Sequence, residues 1–394
     1  MPLAATTPPR MITLVIFTAL STLSLNMFLP SLANMAQDFE AEYALLTLAI
    51  AGYLGVTAVL MMILGPLSDR FGRRPVMLVA LSMFVVASLV CALAANVWVF
   101  LIFRVLQGVV IAGWAIALAV VRDTSEPKEA ARRISLITMA MSVAPLLGPM
   151  LGGLLDELFG WRANFITYTL FGTFALVLCW IDLGETNKTR SESFRQQFSG
   201  YPDLLKSARY WGFTVCMAFS NSGFYIFTAG VPLIAVVMLG LSPALLGVCM
   251  GTITIGFSCS AFASSRLAHR VSLTSLILAG RFSSVIGASA SLIFFLAGMG
   301  NAYTLFGPLM LIGVGNGLTM PNANAGAMSI RPDLAGSAVG LMGALAVGAG
   351  GALTALTGVL VTETSGAVPF LTLILVVSII SLIAVLHLKW QERN

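Results

Sequence analysis

Long apolar runs, separated by short polar or turn-forming breaks, make up most of the chain. Each run is close to the roughly 20 residues that an α-helix needs to cross the hydrocarbon core of a bilayer. The runs lack the alternation of apolar and polar residues that is typical of membrane β-barrel strands. The pattern therefore predicts an all-α, polytopic membrane protein. The twelve predicted spans cover residues 11–32, 43–66, 76–95, 98–121, 134–156, 163–181, 211–239, 243–263, 273–298, 301–326, 336–361 and 366–388.

One long polar stretch, Asp182–Arg209, divides these spans into two sets of six. We therefore predict an N-terminal six-helix bundle over residues 1–181, a cytoplasmic linker over 182–210 and a C-terminal six-helix bundle over 211–394. Two such halves around a polar site near the middle of the bilayer are typical of secondary transporters that work by alternating access.

Composition and charge agree with a membrane protein. The chain is 58% hydrophobic and 9% charged, whereas a soluble domain carries about 25% charged residues. Lys and Arg accumulate in cytoplasmic loops, and 18 of the 21 fall there if the N-terminus is cytoplasmic. We expect a multi-pass protein of the bacterial inner membrane with both termini in the cytoplasm. The first run, Met11–Leu32, exceeds the roughly 7–15 apolar residues of a secretory signal and is interpreted as a retained helix.

Other classes of function lack their motifs in this sequence. An ATP-driven pump needs Gly-Lys-Ser/Thr, and none of the four lysines follows a glycine. An enzyme would need a His/Asp/Glu cluster or a serine–base pair within the spans, so an intramembrane enzyme is only a distant alternative. The five cysteines lie in apolar runs without metal-ligand spacing. We expect a monomer with no enzyme activity, cofactor, metal or nucleic acid, whose partners are lipid, protons and a small-molecule substrate.

The loop after the second span, GPLSDRFGRRP at Gly65–Pro75, is the most specific segment. Pro66 and Gly72 indicate a short turn. Asp69 can meet the N-terminus of a neighbouring helix, whose dipole favours an anion. Arg73 can pair with a carboxylate at the end of another helix. Such contacts would hold an inner gate shut while a carrier faces outward.

This loop resembles the signature of the Major Facilitator Superfamily, which it matches at Gly65, Asp69, Arg70, Gly72, Arg73 and Arg74. Two further segments are similar to motifs of the same family. RVLQG in the fourth span contains Arg104, Gln107 and Gly108, and the antiporter-type segment of the fifth span contains Gly148, Pro149, Gly152 and Gly153.

With MFLP at Met27–Pro30 and Trp161–Arg162, the chain resembles the Bcr/CflA and EmrD group of drug:H+ antiporters. The resemblance implies two pseudo-symmetric six-helix bundles, antibiotic resistance by multidrug efflux, and proton antiport. It also implies Asp123 as the partner of Arg73. The glycines of the fifth span would allow close helix approach and a local bend.

The coupling site departs from this group. Asn26 stands where many members have an Asp, and we predict no buried Asp or Glu within a span. Proton coupling usually needs an intramembrane group that titrates. Three alternatives stay open: a proton site at Asp123 or at a carboxylate at the outer end of the first or fifth helix, coupling through the charge of the substrate, or transport without protons.

Arg104 is the leading functional residue, because an unpaired charge within a span costs about 2.5–3.5 kcal/mol. Arg281 lies closer to the cytoplasmic end, where snorkelling explains it. Asn221 and Tyr225, four residues apart, share a helix face. The polar and aromatic candidates for the cavity are Asn26, Tyr53, Gln107, Trp114, Asn221, Tyr225, Asn316, Asn322 and Asn324. We predict export of small amphipathic or lipophilic compounds; the alternative is a specific exporter of one metabolite, sugar or siderophore, with or without proton coupling.

Overall fold

The computed structural model describes residues 9–187, 201–331, 334–362 and 364–392. In these ranges the chain forms twelve long helices and no strand. The helices are α1 Met11–Asp38, α2 Tyr43–Phe71, α3 Arg73–Leu93, α4 Val97–Thr124, α5 Pro127–Phe159, α6 Arg162–Asp182, α7 Ala208–Met238, α8 Pro243–Leu267, α9 Leu273–Leu296, α10 Ala302–Ile330, α11 Ala335–Leu360 and α12 Ala367–Gln391.

Of the twelve described helices, ten are long and apolar enough to cross a membrane. The other two, α5 and α10, contain 33 and 29 residues, and each has two prolines in its interior. Both pack against neighbouring helices along the bundle. α5 packs on α1 and α8, whereas α10 packs on α8 and α9. The predicted all-α polytopic fold is confirmed.

Several helices extend beyond the predicted spans, because their ends carry polar residues that hydropathy assigns to loops. The second helix continues to Phe71 and therefore includes Asp69. The fifth helix runs from Pro127 to Phe159, so Asp156, the last residue of the predicted span, lies inside the helix. The predicted absence of a buried acid from the spans is wrong at Asp156, which is 6% exposed.

The two ends of the helical bundle are named here by the connections that they carry. The linker end contains the α2–α3 turn at Gly72 and the end of α6 at Asp182. The far end contains the α1–α2 connection, residues 39–42, and the α7–α8 connection, residues 239–242. Residues 188–200 of the predicted linker lie outside the described residues, and Tyr201–Leu205 forms a short helix before α7.

Contacts between α1–α6 and α7–α12 are uneven along the bundle. α2 packs along α11, from Thr47 beside Gly358 to Met61 beside Gly343. The described contacts of α1 and α5 with the second set of helices lie towards the far end. There the Leu29–Ser31 segment of α1 contacts α7 and α8, whereas Met11–Asn26 packs mainly on α4, α5 and α6. The division into bundles at residues 181 and 211 stays a prediction.

Candidate substrate and coupling sites

Arg104 is fully buried in α4, and its guanidinium reaches across to α1. Nη2 donates to the backbone oxygen of Ser24 at 2.8 Å, and Nη1 donates to Oε1 of Gln107 at 2.6 Å. Gln107 in turn donates through Nε2 to Ser88 Oγ on α3 at 2.7 Å. These bonds join α1, α3 and α4 around one positive charge.

Two aromatic rings complete the surroundings of Arg104. Its Cζ lies 4.2 Å from the ring centroid of Phe28 and 4.5 Å from that of Tyr53. Among the described residues no carboxylate forms an ion pair with Arg104, and its Nε has no hydrogen-bond partner. Carbonyl dipoles and ring faces therefore stabilise this charge. The arrangement leaves a buried positive charge without a counter-ion among the described residues.

A second charged cluster lies at the linker end, around Arg73 of α3. The Arg73 side chain contacts Oδ1 of Asp69 at 2.6 Å, Oδ2 of Asp123 at 3.1 Å and Oγ of Ser68 at 2.5 Å. Arg73 is only 8% exposed. The cluster ties the ends of α2, α3 and α4 together, and it brings Asp123 to Arg73 as the family resemblance implies.

The N-terminus of α3 is capped by Glu185, which sequence reasoning missed. The backbone N–H groups of Arg73 and Arg74 donate to the Glu185 carboxylate at 3.0 and 3.4 Å. Asp69 lies beside the same N-terminus but binds the Arg73 side chain, while Glu185 accepts from the backbone N–H groups. At Gly72, φ is +100° and a Cβ would collide with the Glu185 carboxylate. Both properties favour glycine there.

The residues that follow Glu185 also bind the Gly65–Pro75 segment. This segment is helical up to Phe71, so the turn is at Gly72 and the turn predicted at Pro66 is wrong. Asn187 Nδ2 donates to the backbone oxygen of Asp69 at 2.6 Å, and Thr186 Oγ1 lies 3.3 Å from Asp123 Oδ2. Arg74 donates to the backbone oxygen of Trp180 at 2.9 Å, and Arg70 lies over the Phe71 ring. The start of the connection between the two sets of helices is therefore bonded to the signature loop.

The glycines of α5 lie at close contacts near the far end. A Cβ at Gly152 would collide with the backbone oxygen of Met27 on α1, and one at Gly153 would collide with that of Pro243 on α8. The backbone oxygen of Pro149 similarly faces Gly247 of α8. Gly148 lies against α1, 3.4 Å from its Cβ position to Leu23. Glycine permits these backbone approaches because it has no side chain.

The remaining candidates divide into helix-joining residues and partly exposed ones. Asn316 Oδ1 accepts from Ser220 Oγ at 2.6 Å and from Arg281 Nη2 at 3.2 Å, which joins α10 to α7 and α9. Asn322 Nδ2 donates to Ser264 Oγ on α8 at 2.7 Å. Asn26 donates to the Thr22 carbonyl, Tyr225 is buried beside Gly350, and Gly108 packs on the Tyr53 carbonyl. The side chains of Trp114, Asn221 and Asn324 are partly exposed, as is Gly65.

Arg281 does not snorkel. It is 1% exposed, and its guanidinium points into the bundle, where it donates to Asn316, rather than towards the membrane surface. No carboxylate among the described residues forms an ion pair with it, and its Nε has no partner. Among the described residues, two arginines are therefore buried without an acidic partner, one in each set of six helices.

Asp156 was not named as a site, although it lies at the outer end of the fifth helix, one of the places left open for a proton site. Its Oδ2 accepts from Asn34 Nδ2 at 2.7 Å, and Ser31 is a second hydrogen-bonding neighbour. Asn164 donates to Ser31 Oγ at 3.0 Å. Hydropathy places Asp156 at a helix end, and only the packing of α1 and α6 around it shows that it is buried. Within the described part of the chain, no group of His, Cys, Asp and Glu is arranged to hold a metal.

Known proteins are similar to this chain in sequence and in fold. The multidrug resistance protein D of Escherichia coli (strain K12) is 30% identical over 84% of each chain, and a chloramphenicol resistance protein of Pseudomonas aeruginosa is 27% identical over 86% of this chain and 81% of its own. A bacterial homologue of the human lysosomal transporter Spinster, in an inward-facing and occupied conformation, superimposes with a TM-score of 0.77 at 14% identity, covering 99% of this chain and 98% of its own.

The sequence model of the Major Facilitator Superfamily matches residues 14–355. That match includes the signature loop and both buried arginines. The resemblance to multidrug efflux carriers, predicted from the motifs, is confirmed by the relatives. The chain belongs to the Major Facilitator Superfamily of membrane transporters.

Proposed function

We propose that this transporter exports small amphipathic or lipophilic compounds by proton antiport with alternating access. The observation that carries the proposal is the uneven contact between its two sets of helices. The far end is held together backbone to backbone at Gly153–Pro243 and Pro149–Gly247, while Met11–Asn26 of α1 packs mainly within its own set. A pathway between α1, α4, α7 and α10 would then open towards the linker end.

The orientation in the membrane follows from the charges at the two ends. Arg70, Arg122, Arg266, Arg270 and Lys389 lie at the linker end, and Asp38, Glu40, Glu42, Asp156 and Glu157 lie at the far end. Basic residues accumulate on the cytoplasmic side of bacterial membrane proteins. We therefore assign the linker end to the cytoplasm of a bacterial inner membrane, with both termini on that side.

The class of substrate is supported by the relatives and by the site. Two relatives are named for resistance to several drugs and to chloramphenicol. Arg104, held between Phe28 and Tyr53, offers a positive charge beside aromatic faces. Such a site suits molecules that combine a ring with an acceptor or anionic group.

The experiment is a proton-flux measurement with purified protein in liposomes under an imposed pH gradient. The internal pH is recorded while cationic, neutral and anionic drug-like compounds are added. Substrate-dependent proton release that disappears in Arg104→Ala and persists in Arg270→Ala, an exposed arginine at the linker end, would support the proposal. Substrate movement without proton flux would contradict antiport, and a response to a single compound would favour a specific exporter.

A further inference from the structure

Asp156 is the one buried carboxylate among the residues that the structure describes. It lies in the last turn of α5, within a polar cage formed by α1 and α6. Asn34 and Ser31 of α1 are its hydrogen-bonding neighbours, and Asn164 of α6 bonds to Ser31. All three side chains are neutral. An ionised carboxylate in such a cage has lost water without gaining a cation.

The charged groups on the surrounding elements are engaged elsewhere or exposed. Arg162, at the start of α6, contacts Asp38 of α1 at 2.6 Å. Glu157 is exposed, and its Oε2 accepts from the backbone N–H of Ala244 on α8 at 3.3 Å. The adjoining N-terminal turn of α8 contains no charged side chain. Within the described residues, no lysine, arginine or histidine forms an ion pair with Asp156.

The cage is part of the contacts that close the far end. Asp156 lies one helical turn from Gly152, which contacts Met27, and from Gly153, which contacts Pro243. The Leu29–Ser31 segment, which supplies Ser31, itself contacts α7 and α8. Separation of the two sets of helices at this end would therefore expose the cage to water.

We propose that Asp156 is a proton-binding site that controls the far end. Its carboxyl group carries a proton while the far end is closed and releases that proton to the adjoining water when the end opens. One proton is bound per closure, with no other change in charge. This inference rests on the proposed function, because it requires that the far end open during transport. Because the proton enters from the far end and returns to it, the site gates that end and does not itself carry protons across the membrane.

The test follows the opening of the far end directly. Spin labels at Phe159 and Met299, which are 74% and 52% exposed at this end, are introduced into a variant whose five cysteines are replaced. Their distance distribution is recorded between pH 5 and pH 9 in detergent. Binding of one proton predicts that the ratio of open to closed molecules rises with pH, by up to about tenfold per pH unit. Asp156→Asn, which resembles the protonated acid, should stay closed at every pH.

Three further variants make the result specific. Glu40→Gln removes an exposed acid at the same end and should keep the full pH response. Asp156→Glu should keep a response with a displaced midpoint. Asn34→Leu removes a donor to the carboxylate, so the midpoint should move to higher pH because the ionised form has lost a bond.

A pH response in Asp156→Asn equal to that of the parent, or a parent distance that does not change with pH, would overturn the proposal. If Asp156→Asn does not fold, an unshifted midpoint in Asn34→Leu would overturn it equally. A pH-dependent opening in a protein that moves no drug would keep the proton site and reject the proposed function.

Discussion

Arg104 donates a hydrogen bond of 2.8 Å to the backbone oxygen of Ser24, 80 positions earlier in the chain. A buried charge on α4 is thereby held by a carbonyl of α1, close to the ring of Phe28. Any movement of α1 relative to α4 changes the surroundings of this charge. If substrate binds at Arg104, as we propose, this pair would transmit the binding to the packing of α1 on α4.

Replacement of Arg104 by alanine should lower drug transport by roughly tenfold or more, because a buried charge-assisted hydrogen bond of this kind contributes about 1–3 kcal/mol. Lysine should not restore activity, since it lacks the planar fork that reaches Ser24 and Gln107 together. Initial transport rates in liposomes measure the effect. Arg270→Ala serves as the control, and equal rates for Arg104→Ala and the parent would contradict the role.

Removal of Arg73 should be more damaging than removal of either of its acidic partners. Arg73→Ala leaves Asp69 and Asp123 without their shared cation, whereas Asp123→Asn leaves Arg73 bound to Asp69. We expect Arg73→Ala to lower the free energy of unfolding by about 1–3 kcal/mol and to impair transport. Thermal unfolding and transport of Arg73→Ala, Asp69→Asn and Asp123→Asn test the order, which would be wrong if either acid variant were the most harmful.

Substitution of Gly152 should destabilise the protein even when the new residue is small. A Cβ there meets the Met27 backbone oxygen, which cannot move as a side chain can. Overpacking of this kind costs about 1–3 kcal/mol. Gly307→Ala is a matched control in α10, because no atom lies within 4 Å of its Cβ position. A melting temperature that falls equally in both variants would count against the close approach at Gly152.

Arg281→Met should leave thermal stability unchanged or raise it. Asn316 keeps its bond from Ser220 when Arg281 is removed, so no buried acceptor loses its last partner. The substitution replaces a buried charge that has no carboxylate partner with an unbranched apolar side chain. The melting temperature measures this, and a large fall would show that the bond from Arg281 to Asn316 stabilises the fold. Loss of transport at unchanged stability would indicate a role in substrate binding.

Hydropathy was sufficient to predict the number and order of the helices, because lipid requires long apolar helical runs. It also identified Arg104, since a charge within a span is conspicuous. It did not predict the polar helix ends, such as residues 67–71 of α2. The cap at Gly72 could not be predicted, because Glu185 lies 112 positions from Arg73 and only the fold brings them together. Burial of Asp156 depends on Asn34 from another helix. The direction of Arg281 likewise depends on Asn316, and helix periodicity does not give the depth of a side chain in a bundle.

Gly152 and Gly153 are neighbours in sequence, so they point about 100° apart around α5. One touches α1 and the other α8, and in both cases the opposing atoms are backbone. Compensating side-chain substitutions cannot make room for a methyl group at either position. Directed evolution towards new drugs should therefore leave this pair unaltered while it changes residues such as Trp114 and Asn221. Laboratory selections for altered resistance would then yield no substitutions at Gly152 and Gly153.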